Sequence, residues 1–132
     1  MASSRGEARS APQRLILDSG AVIALARGDQ RARAFLARAL EIMSPVEMPV
    51  VVVAETVRGG PRDAPIHRIL KAVGTISETR EAHGRIAGRL LGISRTAHTV
   101  DALVVAQAVE ARGAQILTGG WRRPRTPCSS CL

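Results

Sequence analysis

The chain has 132 residues and a formal net charge of +8, with 45% hydrophobic and 2% aromatic residues. That length suits one domain with a substantial core. The core must be aliphatic, because Phe35 and Trp121 are the only aromatic side chains of their kind, and a module that stacks RNA bases on aromatic platforms is disfavoured.

The charge is unevenly spread. Residues 1–14 carry +2 and residues 121–132 carry +3, so most of the basic excess sits on the flanks. It suits a polyanionic partner or a solvated tail equally well. Lys71 is the only lysine, so nearly all of the positive charge is arginine. No apolar run approaches the roughly 18 residues of a membrane span. The opening "MASSRGEARSAPQR" lacks the apolar stretch of a secretory signal. Cys128 and Cys131 form a lone CxxC without a second pair at zinc spacing, which reads as two free thiols and a reducing, cytoplasmic setting.

In chain order, residues 1–13 read as a disordered extension. "RLIL" gives a first strand over 14–17, closed by Asp18 and the turn-forming Ser19-Gly20. "AVIALARG" follows as a short helix ended by Gly28. Asp29 is a good N-cap for "QRARAFLARALE", whose spacing places Ala32, Phe35, Leu36, Ala39 and Leu40 on one face. "IMSPVEMPVVVVAETVRGG" offers a short strand at Ile42–Met43 or Val46–Met48. A helix then runs from Pro49 to Arg58, since proline suits a first turn and Gly59-Gly60 an end. "APIHRILKAV" is a helix stopped at Gly74, and "TIS" a possible strand. "EAHGRIAGRLLGIS" is a helix with Ile86, Leu90 and Leu91 inward. "TVDALVVAQAVEARGA" is a helix with Thr99 as N-cap and Gly113 at its end, followed by the strand "QILT". Strands alternating with helices argue for a parallel sheet between helical layers.

Three of the 11 acidic residues stand among apolar neighbours: Asp18 after the first strand, Glu55 inside "VVVAETV", and Asp101 before "ALVVAQAV". Each has a plain structural explanation. Asp18 can cap the next helix, Asp101 gains from the helix dipole, and Glu55 can pair with Arg58. Together they read differently. Ligands bind beyond the carboxyl ends of the strands in an open parallel sheet, and Asp18 stands at such an end. Carboxylates brought together repel, and a divalent cation removes that penalty. Such a site can promote in-line displacement at a phosphodiester.

These segments resemble the PIN domain, and among PIN proteins the VapC-type toxins. The likeness rests on "LILDSGAVIALARGD", "MPVVVVAETVRGG" and "GRLLGISRTAHTVDALVVAQAVEARGAQILTGG", and spans about residues 14–119. The resemblance implies a three-layer α/β/α fold with a short central parallel sheet over residues 14–120. It implies a Mg²⁺- or Mn²⁺-dependent ribonuclease, the toxin of a type II toxin–antitoxin pair, with an antitoxin partner and a homodimeric habit. Asp18, Glu55 and Asp101 would be metal ligands and catalytic carboxylates, and Ser19 and Thr118 substrate or supporting contacts.

The chain also departs from the family pattern. The family continues from its last strand as Thr-Ser-Asp; here the residues are Thr118-Gly119-Gly120, so Gly120 stands where a fourth acid is expected. Residues 121–132 form an atypical basic tail, so the domain reads as truncated or altered at its C-terminal end. A competing reading follows: the same fold, catalytically impaired, binding antitoxin or RNA without cleaving. A phosphoacceptor aspartate fits poorly. A haloacid-dehalogenase-like phosphatase wants a second Asp two residues after Asp18, where Gly20 stands; a receiver domain wants an acidic pair and a late lysine. His67, His83 and His98 are scattered on polar faces or loops and read as surface or satisfied histidines. No glycine-rich nucleotide loop is present.

Overall fold

A computed structural model describes residues 13–119. The expectations for the N-terminal extension, for Gly120 and for the tail with its CxxC lie outside the described residues. The elements are β1 (Leu15–Leu17), α1 (Ser19–Ala26), α2 (Gln30–Glu41), β2 (Val46–Pro49), α3 (Val50–Thr56), α4 (Ala64–Val73), β3 (Ile76–Ser77), α5 (Glu81–Ser94), α6 (Thr99–Glu110) and β4 (Gln115–Leu117), with a 3-10 turn at Pro61–Asp63.

The strands form one four-stranded parallel sheet in the order β3-β2-β1-β4. Chain progress from β1 to β2 to β3 runs one way across the sheet, and the return from β3 to β4 crosses back over it. Right-handed crossovers therefore lay α1 to α4 on one face and α5 with α6 on the other. All three residues of β1 are buried, as a strand covered on both faces requires. Leu15, Ile16, Leu17, Val22, Leu25, Met48, Val52 and Val104 form the centre of an aliphatic core. The fold is the expected α/β arrangement.

Local chemistry sets several boundaries. The Asp29 carboxylate accepts from the Ala32 N–H and starts α2. Pro49 closes β2 and stands at the N-cap of α3, so the strand is Val46–Pro49 and not Ile42–Met43. Gly74 ends α4 at φ +73°, where a side chain would be strained.

Four expectations need correction. Phe35 and Leu40 are 46% and 44% exposed; the buried stripe of α2 is Ala32, Leu36 and Ala39, narrower than the face drawn from spacing. Thr99 is the first helical residue of α6, and His98 takes the cap position without a side-chain cap bond. α6 ends at Glu110 with Ala111 as its cap, two residues before Gly113. His83 is buried and so not a surface histidine, but it is a satisfied one: its Nδ1 accepts from the Arg80 N–H at 3.0 Å and its Nε2 meets the Glu110 carboxylate.

Candidate metal centre

β1 is the strand at which crossover direction reverses, since β2 flanks it on one side and β4 on the other. A crevice at the carboxyl end of such a strand is the usual ligand site of an open parallel sheet. Asp18 stands there. Its backbone N–H donates to the Leu117 carbonyl at 3.2 Å, joining the ends of β1 and β4. Its carboxylate caps α1 by accepting from the Ala21 N–H at 2.7 Å.

The other acids arrive from two helices. Glu55 lies in the last turn of α3, which springs directly from the end of β2. Its carboxylate accepts from the Ser19 hydroxyl in the first turn of α1. Glu55 does not pair with Arg58, whose Nη1 donates instead to the Ala54 and Val57 carbonyls at 3.0 and 3.1 Å. Asp101 sits exposed in the first turn of α6.

Electrostatics tie the three together. The Asp18 carboxyl is raised above its ordinary range, mainly because burial disfavours its charge. The negative charges of Asp101 and Glu55 push it in the same direction. Hydrogen bonds from the Ala21 and Gly119 N–H groups oppose both effects. Two acids distant in sequence thus act on the one at the strand end.

The donors are all hard oxygens, which suits Mg²⁺ or Mn²⁺ and disfavours a softer thiolate-seeking metal. The cluster is open: among the described residues no three His, Cys, Asp or Glu side chains stand close enough to hold one ion directly. A hydrated Mg²⁺ needs only one or two direct carboxylates, with others reaching it through water. The residues fit such an ion. They do not form a closed cage.

Thr118 follows β4, exposed, with Gly119 after it. A cleft of about 900 Å³ between α2 and β4 reaches the acidic site only through these two residues, and is otherwise lined by groups such as Ala24, Phe35 and Ile116. Asp18, Glu55 and Asp101 do not line that cleft.

Two contributors went unread in the sequence. The Gly119 N–H helps to hold down the Asp18 carboxyl, and a Cβ on Gly119 would overlap the Gly20 carbonyl, so the ends of β1 and β4 touch backbone to backbone. Only the two small-residue turns "DSG" and "TGG" hinted at this. Asp63 is the second. Its Oδ2 accepts from the Arg58 and Gly59 N–H groups at 2.8 and 2.6 Å, shaping the loop after Glu55. An acid two residues after "GGP" was the available clue.

Comparison with known proteins agrees with this architecture. The family model described as the PIN domain matches residues 15–127, running past Gly120 into the segment read as a tail. No curated protein sequence matches. Among solved structures, one from a toxin–antitoxin complex of Klebsiella pneumoniae is similar, with a TM-score of 0.61 and 20% identity over 79% of this chain and 84% of that one. The FitAcB crystal structure from Neisseria gonorrhoeae is similar at a TM-score of 0.54 and 19% identity, over 77% of this chain and 84% of that one. At such identities the structures speak to fold alone. The family match covers most of the sequence, and the chain belongs to the PIN domain family.

Proposed function

We propose that this chain is a divalent-metal-dependent ribonuclease, the toxin of a type II toxin–antitoxin pair. PIN domains are generally nucleases, and the observation that carries the reading is Asp18 at the sheet's switch point, its carboxyl raised mainly by burial, with the charges of Asp101 and Glu55 acting in the same direction. The net charge of +8 suits a polyanionic substrate. The antitoxin partner is inferred from the fold, since one similar structure comes from a toxin–antitoxin complex. A homodimer in the cytoplasm completes the proposal. Among the described residues no helix is long and apolar enough to cross a membrane.

In this reading Asp18 and Asp101 are the principal holders of Mg²⁺ or Mn²⁺, and Glu55 completes the set. The bound ion supplies Lewis acidity toward a scissile phosphodiester. Asp18 is pre-oriented by the Ala21 N–H group. Ser19 restrains the Glu55 carboxylate, and Thr118 offers a hydroxyl to a substrate phosphate at the mouth of the site. Burial and the neighbouring charges make an unneutralised Asp18 unfavourable, which favours uptake of a cation.

The test is cleavage of RNA by the purified chain in Mg²⁺ or Mn²⁺. Activity should vanish with chelator and in Asp18→Asn. The second reading, a module that binds without cleaving, draws on the open cluster and on Gly120 in place of an acid. Antitoxin or RNA binding without any metal-dependent cleavage would establish it. Gly120→Asp separates the two further, because a restored carboxylate should tighten Mn²⁺ binding and raise cleavage.

A further inference from the structure

At the opposite end of α6 from Asp101 lies a buried polar tie that the acidic site does not use. Glu47, in β2, and Gln107, in α6, are only 8% and 6% exposed. The Gln107 Nε2 donates to Glu47 Oε1 at 2.9 Å and also to the Ser77 hydroxyl at the end of β3. The other Glu47 oxygen, Oε2, lies 3.6 Å from the Arg14 guanidinium, which immediately precedes β1. Glu47 therefore links the start of β1, the strand that leads into Asp18, with the helix that carries Asp101 in its first turn.

α6 is also tied to the start of α5, where the Glu110 carboxylate meets Arg80 and His83, but that contact joins two helices and does not reach the sheet. The other buried side chains of α6 are Val104, Ala106 and Ala108, small and apolar. Such surfaces slide past a neighbour at low cost, whereas a buried amide–carboxylate bond is directional and leaves two desolvated groups unpaired when broken. Gln107 is the buried polar residue of the helix. It lies six residues beyond Asp101, about 9 Å along a rigid α-helix.

We propose that the Glu47–Gln107 pair is a positioning device for the acidic site: it fixes the axial register of α6 on the sheet and so sets where Asp101 stands relative to Asp18. Gln107 acts through the helix and touches neither metal nor substrate. The proposal rests on the metal-centre reading above for its consequence, and on geometry alone for its structural part.

The experiment uses the whole chain with Gln107→Leu, with Gln107→Asn as the milder variant should the first not fold. Two quantities are read: the Mn²⁺ dissociation constant of the folded protein, and the Asp18–Asp101 separation in metal-free crystal or solution structures. Expected are a displacement of Asp101 of about 1.5 Å, one residue's rise, and a roughly tenfold weaker Mn²⁺ affinity, as for other groups supporting metal ligands. The exchange Glu47→Gln with Gln107→Glu rebuilds an amide–carboxylate bond with roles reversed, and should restore both. Ile66→Val, in the core on the other face of the sheet, is the control for general loss of stability. An unchanged separation, or equal weakening of Mn²⁺ binding in Ile66→Val, overturns the proposal. If the unaltered chain binds no Mn²⁺ the metal-centre reading fails, and the metal-free separation alone decides the fate of the positioning device.

Discussion

The Ser19 hydroxyl donates to the Glu55 carboxylate, tying the first turn of α1 to the last turn of α3. Ser19 directly follows Asp18, so one dipeptide both caps a helix and restrains a second acid. The contact is exposed, which limits its worth to about 1 kcal/mol, or roughly a fivefold effect on rate. Ser19→Ala should lower kcat/KM for RNA by about that factor and leave the melting temperature nearly unchanged. Glu55→Gln, which keeps an oxygen for Ser19 but removes the charge, should cost far more. Single-turnover cleavage of one RNA by both variants makes the comparison. An equal loss in the two would assign Ser19 a direct contact with substrate.

Asp18→Asn should separate folding from metal binding. The asparagine oxygen can still accept from the Ala21 N–H, so α1 keeps its cap. The variant also escapes the burial penalty on the charged form, so its metal-free melting temperature should equal or exceed that of the unaltered chain. The metal response should differ. A ligand at 100 times its dissociation constant stabilises by about 2.7 kcal/mol, so Mn²⁺ should raise the melting temperature of the unaltered chain and not that of Asp18→Asn. Calorimetry with and without Mn²⁺ reads this directly. An equal rise in both would place the ion elsewhere.

Local signals were legible in the sequence and long-range ones were not. Asp18, Asp29, Pro49 and Gly74 stand at element ends because caps and left-handed turns depend on a few adjacent residues. The width of the buried face of α2 depended on what packs against it, and Phe35 and Leu40 lie at its exposed margins. His83 looked polar because its partner, Glu110, is 27 residues away on another helix. The three acids could be singled out by their apolar neighbours, but the mutual influence of Asp18, Glu55 and Asp101 needed the crossover order of the sheet. Gly119 acts through its N–H and its missing Cβ, features that a side-chain reading passes over.

Gly119→Ala follows from that last point. The new methyl would overlap the Gly20 carbonyl, which belongs to backbone and cannot rotate away. Separating the two turns would pull the Gly119 N–H from the Asp18 carboxylate and strain the join between β1 and β4. The expected cost is about 2 kcal/mol, in the range of overpacked sites, with weaker Mn²⁺ binding alongside. Gly59→Ala is a useful comparison. It carries φ +85° with open space around it, so it suffers backbone strain without collision and without a contact to Asp18. Melting temperature and Mn²⁺ titration of both variants distinguish the effects: both should lose stability, and Gly119→Ala should lose much more metal affinity.

Asp63 gives the fold a pH dependence away from the acid cluster. The N–H groups of Arg58 and Gly59 hold its carboxyl below the ordinary carboxylate range, with burial working against them and losing. In the unfolded chain an aspartate titrates near about 3.9. Between that value and the lower folded one, the unfolded chain binds more protons, so stability rises with pH through this window. The contribution is fully present above it and is lost as pH falls through the folded pKa. Asp63→Asn keeps one acceptor oxygen but not the charge, so it should be less stable than the unaltered chain at neutral pH. The gap should close on acidification below about pH 4, where the reference carboxyl protonates. Urea midpoints from neutral pH down to pH 3 measure it: converging curves support the assignment, and parallel curves would place the acid sensitivity in other carboxylates.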